Sequence, residues 1–131
     1  MRHALVTEQL AEKVRLSVEA LKNHKFDTIA FSGMSGAILA PAVALKMNKA
    51  LALVRKMADS SHSKSRVEGN CAVNKYVIID DFIETGATRD YIQEMMSGFA
   101  PKAKCIGLLA VSDLAERDLE GYEKKKFPLR T

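Results

Sequence analysis

The stretch Tyr76-Val77-Ile78-Ile79 restricts the possible folds more than any other part of this chain. An apolar, β-branched run without polar alternation suits a strand buried on both faces. Such strands belong to parallel sheets with helices packed above and below. The remaining pattern agrees. Leu10, Val14, Val18 and Leu21 recur at helical spacing and predict a first helix from an N-cap at Thr7 to about Asn23. Residues 26–31 predict a strand that ends in a small-residue loop, 32–36. Ala37 to Met47 is apolar on nearly every face, which predicts a buried helix with Pro41 in its first turn. Leu51–Val54 and Cys105–Val111 predict further strands, Gly86–Phe99 a helix, and Leu114–Tyr122 a short polar helix or irregular tail. Strands alternating with helices predict an α/β fold: a mostly parallel central sheet with helices on both faces.

With 131 residues the chain is expected to form one domain, 1–131, and it has no internal repeat or linker composition. Apolar residues make up 47% and charged residues 27%, which excludes a disordered tail, a collagen-like repeat and a disulfide scaffold. No apolar run approaches the ~20 residues that span a bilayer. The N-terminus is charged and amphipathic, unlike a secretory signal. Cys71 and Cys105 form no CxxC pair and read as free thiols of a reducing compartment, the cytoplasm. His3 and His24 have no metal-ligand spacing. The net charge of +4 favours an anionic partner. No aromatic stacking platform or basic helix points to nucleic acid, and Lys124-Lys125-Lys126 reads as a solvated face.

In open parallel sheets ligands bind beyond the carboxyl ends of the strands, near the place where strand order reverses. The loops 32–36, 55–70 and 80–88 each follow a predicted strand, so they are expected to converge on one edge. The last of them carries the most chemistry. Asp80-Asp81 ends the hydrophobic strand, where two adjacent carboxylates repel each other unless a cation or hydroxyls satisfy them. Thr85-Gly86-Ala87-Thr88 then opens a helix, combining free amides, two hydroxyls and a positive helix end into a phosphate cradle. Acids at one end and an anion cradle at the other fit a sugar phosphate.

On residues 76–88 the sequence resembles the type I phosphoribosyltransferases, whose signature is a hydrophobic strand, two acids and a Thr-Gly-x-Thr-like loop. By that resemblance Asp80 and Asp81 face the ribose hydroxyls of phosphoribosyl pyrophosphate, and Thr85, Gly86, Ala87 and Thr88 hold its 5-phosphate. Phe82 is bulkier than the usual residue. Glu84 stands where the 6-oxopurine members carry an acid/base Asp, which implies the same role toward a purine-like base. Ser32-Gly33-Met34-Ser35-Gly36 is similar to the family's pyrophosphate loop: Ser35 and Gly36 offer amides, and Arg55 and Lys56 add cationic contacts. Residues 57–70 are similar to its flexible loop, Val67-Glu68-Gly69 resembles orotate phosphoribosyltransferases, and His62 and Lys64 are its candidate cations.

The likeness covers residues 27–111, leaves only a minimal hood to grip the base, and implies a homodimer. It also implies a Mg²⁺-dependent transfer of the phosphoribosyl group to a nucleobase, with the ion held mainly by substrate and in part by Asp80 and Asp81. A non-catalytic regulator of the same fold, binding nucleotide or RNA, is the alternative. A phosphoacceptor signalling domain fits poorly, because it needs acids from another strand end and Asp27 begins its strand at the opposite edge.

Overall fold

β1 (Thr28–Phe31) is fully buried and has a parallel partner on each side, β2 (Ala50–Val54) and β4 (Lys75–Asp80). β5 (Lys104–Ala110) extends the sheet beyond β4 in parallel, and β3 (Val67–Gly69) closes the other edge antiparallel to β2. The resulting order is β3-β2-β1-β4-β5. This computed structural model describes residues 2–32, 34–55, 67–69, 72–80, 87–110 and 129.

Among the described residues three helices cover the sheet: α1 (Arg2–Leu21), α2 (Met34–Met47) and α3 (Ala87–Phe99). α1 and α2 pack on one face, where Val14, Leu16, Leu21, Leu39 and Val43 meet Ile29, Phe31, Val77, Ile79 and Leu109. α3 packs on the other, bringing Ile92 and Met96 onto Ala30, Ala52, Val54, Ile78 and Leu108. The period-2 alternation along β1 and β4 sorts their side chains between these two cores. The path from β1 to β2 and the path from β4 to β5 step in opposite directions across the sheet. Right-handed crossovers then require their helices to lie on opposite faces. Leu129 packs partly against the α1/α2 core.

The α/β expectation holds, with local corrections. α1 begins at Arg2, so Thr7 lies inside it and is no N-cap. α2 begins at Met34, three residues before the expected start, which puts the backbone of Ser35 and Gly36 in its first turn and Pro41 in its interior. Ser35 and Gly36 have low helix propensity and read as loop, which hides the first turn of α2 in the sequence. Asn48, at φ 60°, ends α2 with two bonds of a Schellman cap: Lys49 N–H to the Ala44 carbonyl at 2.8 Å and Asn48 N–H to the Leu45 carbonyl at 3.3 Å. Val67–Gly69 is a strand antiparallel to β2, inside the stretch 57–70 whose composition reads as a mobile loop or a frayed hairpin, and it favours the hairpin. The expected helix at 114–122 and Cys71 lie outside the described residues. Cys105 is a free thiol.

The amino end of the sheet is tied by Asp27. Its carboxylate accepts the Thr28 hydroxyl at 2.7 Å, the Lys75 amide at 3.1 Å and the Asn74 amide at 3.1 Å. Its own amide donates to the Lys75 carbonyl at 2.9 Å, and its carbonyl receives the Ala50 amide at 3.0 Å. One residue therefore joins the starts of β1, β2 and β4. Asp27→Ala strips acceptors from two backbone amides and is expected to cost about 2–3 kcal/mol in urea unfolding.

Tyr76 is buried against α3, and burial, with Cys105 beside it, pushes its phenol well above the ordinary value. The folded state thus favours the neutral phenol. Stability is complete below the unfolded value of about 10 and falls as pH rises past it. Tyr76→Phe removes that alkaline loss, so the pH at which the protein unfolds in an alkaline titration should rise.

Candidate active site

The strand order reverses at β1, because the chain leaves it toward β2 and later returns on its other side as β4. At such a reversal the connections depart to opposite faces and leave a crevice beyond the carboxyl ends of the two strands. Ser32 follows β1 there, and Asp80 is the last residue of β4. The register pairs Ala30 with Ile78, and continuing it by two residues brings Ser32 level with Asp80. Alternation puts both on the α3 side, with Ala30 and Ile78. Both are buried, at 4% and 9% exposure.

Two helix N-termini open at this edge. α2 starts two residues after Ser32, and its first amides have no partner within the helix. The backbone of Ser35 and Gly36 lies in that turn, as an amide cradle requires. α3 starts at Ala87, with half-buried Thr88 in its first turn. Both helices direct the positive end of their dipoles toward the carboxyl edge of the sheet. Asp81, Glu84, Thr85 and Gly86 lie outside the described residues, as do Lys56, His62 and Lys64.

Arg55 follows β2, one strand from β1 and two from β4, or about 10 Å across the sheet from the end of β4. Its guanidinium pairs with Glu68 of β3, and both side chains are half exposed. An exposed pair of this kind contributes under about 1 kcal/mol, so Arg55 can exchange partners at little cost. The Tyr91 hydroxyl, from α3, donates to the Arg55 carbonyl at 2.5 Å and holds the end of β2 in place. Tyr91 is a contact the sequence reading missed. Its only sequence signal is an aromatic residue in the first turns of the helix that covers β2.

The structure thus brings Asp80, the α2 first turn and the α3 N-terminus to one edge, and sets Arg55 at that edge on the neighbouring strand. Asp27 lies at the opposite end of the sheet, as its position before β1 requires. A mainly apolar groove between α1 and α2, lined by Leu10, Val14, Val18 and Leu45 with Arg15, Glu19 and Lys46 among its walls, belongs to the helical layer and not to this edge.

The described part of this edge is thus a doubly wound sheet with Asp80 at a strand end and the N-termini of two helices beside it. Solved structures match the fold. UMP synthase of Leishmania donovani matches with a TM-score of 0.67 at 22% identity, covering 95% of this chain and 27% of that one. Adenine phosphoribosyltransferase of Thermoanaerobacter pseudethanolicus matches at 0.62 and 17% identity, covering 88% and 77%. Orotate phosphoribosyltransferase of Aeropyrum pernix matches at 0.59 and 15% identity, covering 82% and 59%. The chain therefore has a type I phosphoribosyltransferase-like fold. It spans about a quarter of the UMP synthase and about three-fifths of the orotate enzyme. No protein-family model matches the chain, and no curated protein matches it in sequence.

Gly69 sets the geometry of the β2–β3 edge that holds Glu68 against Arg55. At φ +156°, a Cβ added there would lie 2.4 Å from the Leu51 carbonyl oxygen, a backbone atom that cannot swing aside. Gly69→Ala is expected to break the β2–β3 pairing and to speed amide exchange at Val67–Gly69 at least tenfold, while exchange in β1 and β4 changes little.

Proposed function

We propose that this chain transfers the phosphoribosyl group of phosphoribosyl pyrophosphate to a ring nitrogen of a purine or pyrimidine base, with release of pyrophosphate. The observation that carries this reading is Asp80, a carboxylate only 9% exposed, at the carboxyl end of β4 where strand order reverses in a phosphoribosyltransferase-like fold. A carboxylate so placed suits the hydroxyls of a sugar better than a lone anion. The flanking helix N-termini suit the phosphates on either side of that sugar.

In this reading Asp80 and Asp81 accept hydrogen bonds from the ribose hydroxyls and oppose the positive charge that grows on the ring as the C1–O bond breaks. The bonding electrons leave with pyrophosphate. The first-turn amides of α2, including Ser35 and Gly36, together with Arg55 and Lys56, stabilise that departing charge. Thr85 to Thr88 and the N-terminus of α3 hold the 5-phosphate. A base nitrogen forms the new bond to C1, and its displaced proton passes to Glu84. His62 and Lys64, on the loop that follows Lys56, close over the diphosphate and keep water from the reactive carbon.

Among the described residues no three His, Cys, Asp or Glu side chains gather to hold a metal by themselves. Mg²⁺, which the resemblance implies, would be carried mainly by the diphosphate oxygens, with Asp80 and Asp81 as its candidate protein donors. The ion would offset the diphosphate charge. No helix among the described residues is long and apolar enough to cross a membrane. We place the protein in the cytoplasm, on the reading of its cysteines as free thiols, and as a homodimer, which the resemblance of its sequence implies.

Incubation with phosphoribosyl pyrophosphate, Mg²⁺ and a panel of bases, followed by mass spectrometry, should show pyrophosphate and one nucleoside monophosphate. Asp80→Asn keeps the volume and removes the charge, and should lower kcat/KM about a hundredfold in a protein whose circular dichroism is unchanged. Turnover at the wild-type rate would remove Asp80 from the mechanism.

A further inference from the structure

We infer that Glu68 competes with the substrate diphosphate for the Arg55 guanidinium, so that this carboxylate sets how tightly the diphosphate is held. The inference rests on the phosphoribosyl-transfer reading and adds to it a residue that works against binding.

Arg55 and Glu68 come from neighbouring strands, and the pairing of those strands fixes the face they share. The register sets Leu53 opposite Glu68 and Val54 opposite Val67. Val54 and Val67 are buried in the α3 core, whereas Leu53 packs against the α1/α2 core. Alternation therefore puts Glu68 on the α2 side of the sheet, and Arg55, two residues after Leu53, on that side too. The first-turn amides of α2, which hold the diphosphate in the proposed reaction, open on the same side.

The contact is one that a ligand can displace. One guanidinium nitrogen, Nη2, meets one carboxylate oxygen, Oε2, and among the described residues neither side chain has another ion-pair partner. Both side chains are half exposed, so water screens the pair, and a single contact lacks the two-pronged geometry of a strong one. The Arg55 backbone, by contrast, is anchored from the α3 side, where its carbonyl accepts the Tyr91 hydroxyl at 2.5 Å. The main chain thus stays in place while the guanidinium turns from the carboxylate to a diphosphate, which carries more charge and more oxygens. Each molecule of diphosphate that binds must first take Arg55 from Glu68. Neutralising Glu68 then strengthens binding, whereas a purely structural role at the β2–β3 edge would give the opposite sign.

The test is titration calorimetry of the wild type, Glu68→Gln, Arg55→Ala and the double variant with phosphoribosyl pyrophosphate, inorganic pyrophosphate and ribose 5-phosphate, each with Mg²⁺. Glu68→Gln keeps the volume and removes the charge. It should bind both diphosphates about three- to fivefold more tightly than the wild type. Ribose 5-phosphate carries no diphosphate and should bind Glu68→Gln and the wild type alike. In the Arg55→Ala background the gain should vanish, because no guanidinium is left to compete for. Unchanged or weaker diphosphate binding in Glu68→Gln overturns the inference and leaves the phosphoribosyl reading intact. A gain that persists with Arg55→Ala, or that extends equally to ribose 5-phosphate, also overturns it, since general charge repulsion would then be the cause. Failure of the wild type to bind either diphosphate removes both readings.

Discussion

The backbone of β1 is bonded on both sides to parallel strands, and each of its four residues is buried. A strand so enclosed has no free edge, so the chain must leave it by a crossover and return by another. The two crossovers run in opposite directions, which commits α2 and α3 to opposite faces and opens a crevice where they diverge. The amino end of the same strand is closed by the contacts of Asp27 with β4 and the β2 start. Rigidity is concentrated at one end of the sheet and access at the other. The polar groups above β1 and β4 therefore rest on a base that loop rearrangement does not disturb.

Much of this was legible in the sequence, for identifiable reasons. The run 76–79 announced a doubly covered strand because only apolar surroundings tolerate it, and that strand is buried as expected. Asp80 could be placed at the carboxyl edge because it ends the run. Boundaries were less legible where the physical signal is distributed. α2 starts at Met34 although Ser35 and Gly36, poor helix formers, make its first turn read as loop in the sequence. β3 was hidden in a polar stretch because an edge strand of three residues, exposed at Glu68 and Gly69, has no reason to alternate. The Arg55–Glu68 pair and the Tyr91 contact depend on how separate elements meet, and no local pattern encodes them.

α2 shows how composition can overstate burial. Its nearly uniform apolar sequence suggests a helix enclosed on all sides, yet Leu45 is 84% and Ile38 56% exposed. These residues are seven apart and share a face with Ala42, while Leu39, Ala40, Val43 and Ala44 face the sheet. The same apolar character serves its N-terminus. A helix held to the sheet by several buried side chains keeps its first amides fixed, and fixed amides stabilise charge without reorganising.

The two ends of the sheet also treat polar groups differently, and that contrast bears on function. At the amino end the Asp27 carboxylate collects a hydroxyl and two amides, so every donor brought there is used within the fold. At the carboxyl end the Ser32 hydroxyl is buried without a hydrogen-bond partner, one strand from the buried Asp80, and the N-termini of α2 and α3 open at the same edge. Folding alone gains nothing from this second arrangement, because each unpaired group lowers stability. Such an arrangement persists in a marginally stable protein when a ligand supplies the missing partners. In the proposed function a ligand at the carboxyl edge supplies the missing partner, so the hydroxyl and the acid there bear on which ligand can do so.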